Sequence, residues 1–215
     1  MGNRLTISLF AGITLVAILT TYFVFFKQEP TLPIYQPIDI NPALVDSNLI
    51  KVTDHTISDF NLVNHLGDSV SLKDLDGQIL VVDFFFTRCA TLCPIMTGNL
   101  KLIENSLPEG VKILSHSVTP QADSVSVLKN YAEKHSVDGS KWWFLTGEKK
   151  EVYRLARKSY FSCLDEGDGG YQDFVHTENV VLVDAKGRLR GFYDGTSEWD
   201  ISQLYRDIQN LLQEK

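Results

Sequence analysis

A chain of 215 residues is long enough for one well-packed domain with an appendage and short for two independent cores. Charged residues make up 22% and the formal net charge is -7, so the chain lacks the basic excess that displaces counterions from phosphate, which argues against nucleic acid as a partner.

Leu5 to Phe26 carries no charged side chain, is flanked by Arg4 and Lys27, and is about the length needed to cross a hydrocarbon core. It runs into bulky Tyr22-Phe23-Val24-Phe25-Phe26 where a cleaved signal peptide has small residues, so residues 1–27 are expected to remain as a single transmembrane helix. The segment before the span is too short for an Arg-rich transit peptide, which points to a bacterial inner membrane with the domain facing the periplasm. Pro30, Pro33, Pro37 and Pro42 make residues 28–50 read as an extended polyproline-like spacer, leaving residues 51–215 as the folded domain.

Asp59 to Leu75 reads as a hairpin turning at Gly67-Asp68. Ile79 to Phe86 is a nearly continuous β-branched and aromatic run, the pattern of a central strand covered on both faces. A helix is expected from near Cys93 to about Ser106 with Pro94 at its first position, then a strand over Val111 to Val118 and a helix from an Asp123 or Ser124 cap to His135. Trp142 to Leu145 reads as a strand and Glu148 to Tyr160 as a helix. Asn179 to Val183 and Leu189 to Tyr193 read as a hairpin, and Trp199 to Leu212 as a closing helix. The alternation predicts an α/β fold, a mixed central sheet with helices on both faces.

Cys89 and Cys93 sit at the strand-to-helix junction, where one turn brings both sulfurs to the same side and the helix N-terminus favours a thiolate at Cys93. Read alone, the pair also fits a short structural disulfide or two small buried side chains. A bridge closing so short a loop stabilises little, however. The approach Val82-Asp83-Phe84-Phe85-Phe86-Thr87-Arg88-Cys89 is similar to the strand entering the thioredoxin active site, which also has an aspartate six residues before its first cysteine.

Phe84-Phe85-Phe86-Thr87-Arg88-Cys89-Ala90-Thr91-Leu92-Cys93-Pro94 resembles the F-x-F-T-x-C-x-x-x-C-P signature of the Sco (SenC) family. Val118-Thr119-Pro120, Leu145-Thr146-Gly147 and Phe174-Val175-His176-Thr177 follow in that family's order, so the likeness runs from about Ser58 to the C-terminus. The resemblance implies a thioredoxin-like fold that binds one copper ion, Cu(I) or Cu(II), through Cys89, Cys93 and His176. It also implies delivery of that ion to the CuA-bearing subunit of cytochrome c oxidase. Thiolates suit Cu(I), and a thiolate site with an imidazole also accommodates Cu(II).

Three positions depart from the family pattern. Thr119 stands where many relatives have aspartate before the proline; Val175 replaces an aspartate before His176, leaving Asp173 or Glu178 to support the imidazole; and Cys163 is an extra cysteine in a Gly- and Asp-rich loop, where an incidental thiol is the plain reading. His55, His65, His116 and His135 have no cysteine at ligand spacing.

The competing function is thiol-disulfide exchange, with Cys89 attacking, Cys93 resolving and Asp83 relaying a proton, which would make Cys89–Cys93 a redox-active disulfide. Copper is favoured because His176 replaces the cis-proline usual in thioredoxin-like oxidoreductases and the spacing is C-x-x-x-C. The dithiol must be reduced to load copper, so a thiol reductant or another copper chaperone is a further expected partner. A peroxide-reducing enzyme ranks last, since Thr87 lacks the accompanying proline.

Overall fold

The structure, a computed structural model, describes residues 10, 12–22, 31–170 and 172–214 and divides into two compact units, Met1–Thr31 and Leu32–Lys215. In the first, residues 12–22 are helical; among the described residues no helix is long and apolar enough to cross a membrane, and the remainder of the expected Leu5 to Phe26 span lies outside them.

The second unit is built on a seven-stranded sheet. Strands β1 (Asn61–Asn64) and β2 (Ser69–Ser71) form the expected hairpin. Next come β3 (Ile79–Phe85), α1 (Leu92–Glu104), β4 (Val111–Ser117), α2 (Val125–Lys134), β5 (Trp142–Thr146), α3 (Lys149–Arg154), β6 (Asn179–Val183), β7 (Leu189–Asp194) and α4 (Glu198–Gln213). The sheet order is β2-β1-β5-β4-β3-β6-β7, with β3 parallel to β4, β4 parallel to β5, and the other pairs antiparallel. This is the mixed sheet that the alternation of patterns predicts.

Every residue of β3 and of β4 is buried, which explains why neither shows apolar-polar alternation. Val81 and Phe85 pack with α1, α2 and α4, while Leu80, Val82 and Phe84 pack with α3 and the segment ahead of β1. The helix expected to end at Tyr160 does so, but its last turn, Leu155–Ser159, is a π-helix that places Arg157 inward. Pro94 is the third residue of α1 instead of the first. Its missing N–H costs nothing there either, because the first four helical N–H groups have no intrahelical acceptor.

From Leu32 onward the Pro-rich stretch is not the extended spacer that its prolines suggest. Tyr35 bridges to Leu189, Pro37–Asp39 and Pro42–Leu44 form single 3-10 turns, and Ile40 and Val45 are buried. Arg190 fixes the start of this stretch. Its guanidinium, 3% exposed, donates to the carbonyls of Leu32 (2.7 Å) and Pro33 (2.9 Å), to Asp184 (3.0 Å) and to Glu214 (2.7 Å). Prolines close the short turns while Ile40 and Val45 supply the apolar area that holds them down.

His116 on β4 is fully buried, stacked on Phe84 at 5.1 Å, and neither ring nitrogen has a hydrogen-bond partner. Burial drives it down to about 3, so the folded state refuses a proton that the unfolded chain accepts below its ordinary value near 6.5. Its contribution to stability is therefore constant above neutrality and declines as pH falls from about 6.5 towards 3. In His116→Phe this decline is removed: urea unfolding at pH 7 and pH 5 should show the variant gaining about 2 kcal/mol on wild type at the lower pH. An equal offset at both pH values contradicts the assignment.

Candidate metal centre

Strand β3 delivers the chain to the sheet's edge at Phe86, and residues 87–91 cross to α1. The crossing is held by Asp123, 0% exposed, whose carboxylate accepts from the Thr87 N–H (3.2 Å) and the hydroxyls of Thr87 (2.5 Å), Ser117 (2.6 Å) and Thr119 (3.0 Å). Asp123 thus joins the cysteine loop to the end of β4. Of the two caps that the sequence offers for α2, Ser124 is the residue that precedes the helix, and Asp123 serves the loop instead. The departure at Thr119 is explained as well: this threonine donates to a carboxylate already present below the loop.

Cys89 and Cys93 are both free thiols, as is Cys163. The Cys93 N–H donates to Cys89 Sγ at 3.4 Å, and Thr91 Oγ1 lies 3.8 Å from the same sulfur. Burial is the largest single influence on Cys89 and opposes its ionisation, but the donors from Cys93 and Thr91 together outweigh it and bring this thiol down to about 7. Cys93, 6% exposed, goes the other way. Its burial pushes it up to about 12, with the nearby Cys89 sulfur and Asp83 carboxylate adding to the rise. The sequence-based expectation of a thiolate at Cys93 is therefore reversed. The helix N-terminus supplies its N–H to Cys89, and Cys93 itself faces the core.

Asp83 lies in that core beside α1, raised by burial to about 7 although it accepts a hydrogen bond from Ser115 Oγ. Ser115 in turn accepts from Trp142 Nε1 at 2.8 Å. The carboxyl is thus close enough to act on Cys93 electrostatically and is shielded from water.

His176 is exposed in the loop before β6. The loop is tied to the cysteine side by the edge-on contact of Phe174 with Phe86 at 5.3 Å. Asp173 does not support the imidazole as expected. Its carboxylate forms a two-pronged pair with Arg157, both contacts at 2.7 Å, and accepts the Gly169 N–H at 2.6 Å. Among the described residues no three His, Cys, Asp or Glu side chains gather closely enough to hold a metal ion, so Cys89 and Cys93 are brought together and His176 is not brought to them. Two thiols, one readily ionised and open to solvent, nevertheless make a donor pair for a soft cation. Beside them a cleft of about 770 Å³ runs from Arg88 past Thr119 and Tyr153 to Phe174.

His55, His65 and His135 have structural partners: His55 Nε2 contacts the Ser159 carbonyl at 2.9 Å, His65 Nδ1 accepts from the Phe144 N–H at 3.2 Å, and the His135 ring packs at a tilt against Tyr131 at 4.4 Å. Cys163 is buried, and burial pushes its thiol up to about 11.

A mixed sheet of this order, with a dithiol where a buried core strand meets the following helix, defines a thioredoxin-like protein. The chain belongs to the SCO1/SenC family, a model of which matches residues 50–213. It is similar to the SCO1 protein homolog of Bacillus subtilis (strain 168), 29% identical over 160 residues that cover 73% of this chain and 82% of that one. It also resembles a Stutzerimonas stutzeri protein named as a candidate copper-binding protein, 26% identical over 71% of this chain and 76% of that one. The solved structure of BsSco is described as that of a member of the Sco family of cytochrome c oxidase assembly proteins with a disulfide switch. It matches with a TM-score of 0.64 at 29% identity, covering 77% of this chain and 99% of that one.

Two outcomes follow from this geometry. In the reduced, metal-free protein, iodoacetamide should label Cys89 with a rate that rises through a midpoint near pH 7 while Cys93 stays unreactive to above pH 9, as peptide mass spectrometry can establish. Asp123→Ala strands three hydroxyls and an N–H, and should lower unfolding stability by about 3 kcal/mol in urea titrations. A loss below about 1 kcal/mol would show that the loop is held by something else.

Proposed function

We propose that this protein is a copper carrier that holds one ion on Cys89 and Cys93, takes His176 as a third donor, and passes the ion to the CuA site of cytochrome c oxidase. The observation that carries the reading is the unequal thiol pair. Cys89 is accessible and ionised near neutral pH, so it is the group that captures a cation. Cys93 lies within hydrogen-bonding distance of it and completes the pair once the metal has displaced its proton. His176 reaches the pair by movement of the loop bearing Phe174, and an imidazole on a loop can be withdrawn again when the acceptor's thiolates take over. Copper is the cargo, and each bond to this chain is exchanged for one to the acceptor. Family membership and the relatives described as copper-binding or as oxidase assembly proteins support this reading.

The charge-free stretch Leu5 to Phe26 completes the reading as a tether to a bacterial inner membrane, with the carrier domain on the periplasmic side, where the oxidase receives copper.

Thiol-disulfide exchange is the second reading, favoured by the same asymmetry: an acidic, accessible Cys89 suits attack on a disulfide, and a shielded Cys93 suits resolution. Asp83 would then accept the proton of Cys93. Asp83→Asn separates the two, because it should slow disulfide reduction while leaving copper stoichiometry intact.

The decisive measurement is an anaerobic titration of the reduced full chain with Cu(I) and with Cu(II). One copper per chain is expected, with a thiolate-to-Cu(II) absorption band that His176→Ala weakens or shifts. Absence of the band, or a band indifferent to His176, would leave dithiol redox chemistry as the better reading.

A further inference from the structure

Neither reading uses Cys163, and the structure gives it a companion that its place in the sequence does not suggest. The left-handed backbone of Phe161, φ 48°, turns the chain after the π-helical turn, and Ser162 is pinned by its N–H to the Ala156 carbonyl at 2.9 Å. The Ser162 carbonyl then accepts from Thr177 Oγ1 at 2.5 Å and from Asn179 Nδ2 at 2.9 Å. These bonds clamp the segment before β6 against the segment after the helix. The next residue on one side of the clamp is Cys163, and the previous residue on the other is His176. Both line a single open groove of about 350 Å³, together with the Arg157–Asp173 ion pair, Leu164 and Phe174.

We propose that Cys163 and His176 form a second, Cu(I)-selective site in this groove, a staging position from which the ion passes to Cys89 and Cys93. The proposal rests on the copper reading above. Cu(I) is soft, tolerates only two donors, and is well served by one thiolate and one imidazole, so a cluster of three ligands is not needed. Cys163 is 6% exposed, which limits competition from water, while His176 is exposed to solvent. Binding replaces the thiol proton of Cys163, which leaves to solvent, and adds a bond from a ring nitrogen of His176; no electron is transferred. Arg157 is held on both sides by Asp173, so the groove is formed before metal arrives. Because His176 serves both positions, they are alternatives: carrying the imidazole to Cys89 and Cys93 strips the groove of a donor and drives the ion onward.

The test uses the full chain carrying C89S and C93S, reduced and anaerobic, titrated with Cu(I) in competition with a chromogenic chelator. One Cu(I) per chain is expected, with one sulfur and at least one nitrogen neighbour by X-ray absorption, and adding either C163S or H176A should weaken binding at least ten-fold. No Cu(I) held against the chelator, or binding that survives C163S unchanged, overturns the proposal. If circular dichroism shows the double variant unfolded, the same competition is run on the wild-type chain in its Cys89–Cys93 disulfide form, against the same form of C163S. The two ideas fail separately. A wild type with a His176-dependent Cu(II) band beside an inert double variant removes the groove and keeps the carrier, whereas a wild type lacking the band beside a Cu(I)-binding double variant does the reverse.

Discussion

One buried carboxylate governs the geometry of the cysteine loop. A chain leaving a fully buried strand has no neighbour to pair with, and residues 87–91 would otherwise be free to sample many paths to α1. Asp123 removes that freedom by taking two hydrogen bonds from Thr87 and one each from Ser117 and Thr119. Several donors to one charge are worth more than the same number between neutral groups, and burial strengthens each of them. The loop can therefore keep Cys89 half-buried and Cys93 covered without a helix or strand of its own.

The inequality of the two thiols follows from this. They are only a turn apart, yet one receives the helix's free N–H groups and the other occupies the helix's inner face over Asp83. Burial opposes ionisation of both, but hydrogen bonds outweigh it at Cys89 and do not at Cys93. A symmetric pair would either bind metal only at high pH or be exposed to oxidation at both sulfurs.

Much of the architecture could be read from the chain directly. The unbroken run Ile79 to Phe85 marks a strand covered on both faces, the Gly67-Asp68 turn marks the hairpin, and the cysteine signature identifies the family. What could not be read depends on contacts distant in sequence. Asp123 looks like a helix cap because its partners at Thr87 and Ser117 come together only in the fold. Cys93 looks acidic because local sequence shows the helix terminus and not the core beneath it. Asp173 is near His176 in sequence, but the π-turn brings Arg157 onto it. The prolines at Pro33, Pro37 and Pro42 suggest a spacer, since short-range stiffness is visible in sequence and the docking of Ile40 and Val45 is not.

Arg190 has a mechanical consequence. Its single guanidinium grips the carbonyls of Leu32 and Pro33 and the carboxylate of Glu214, at the opposite end of the sheet from the cysteine loop. Any pull transmitted along the chain from residue 31 is therefore taken up at β7 and the end of α4, in shear across several hydrogen bonds at once. That anchor lies two strands from β3 and at the far end from the loop that follows it. A domain can in this way be towed by its leading segment while its thiol pair stays at rest.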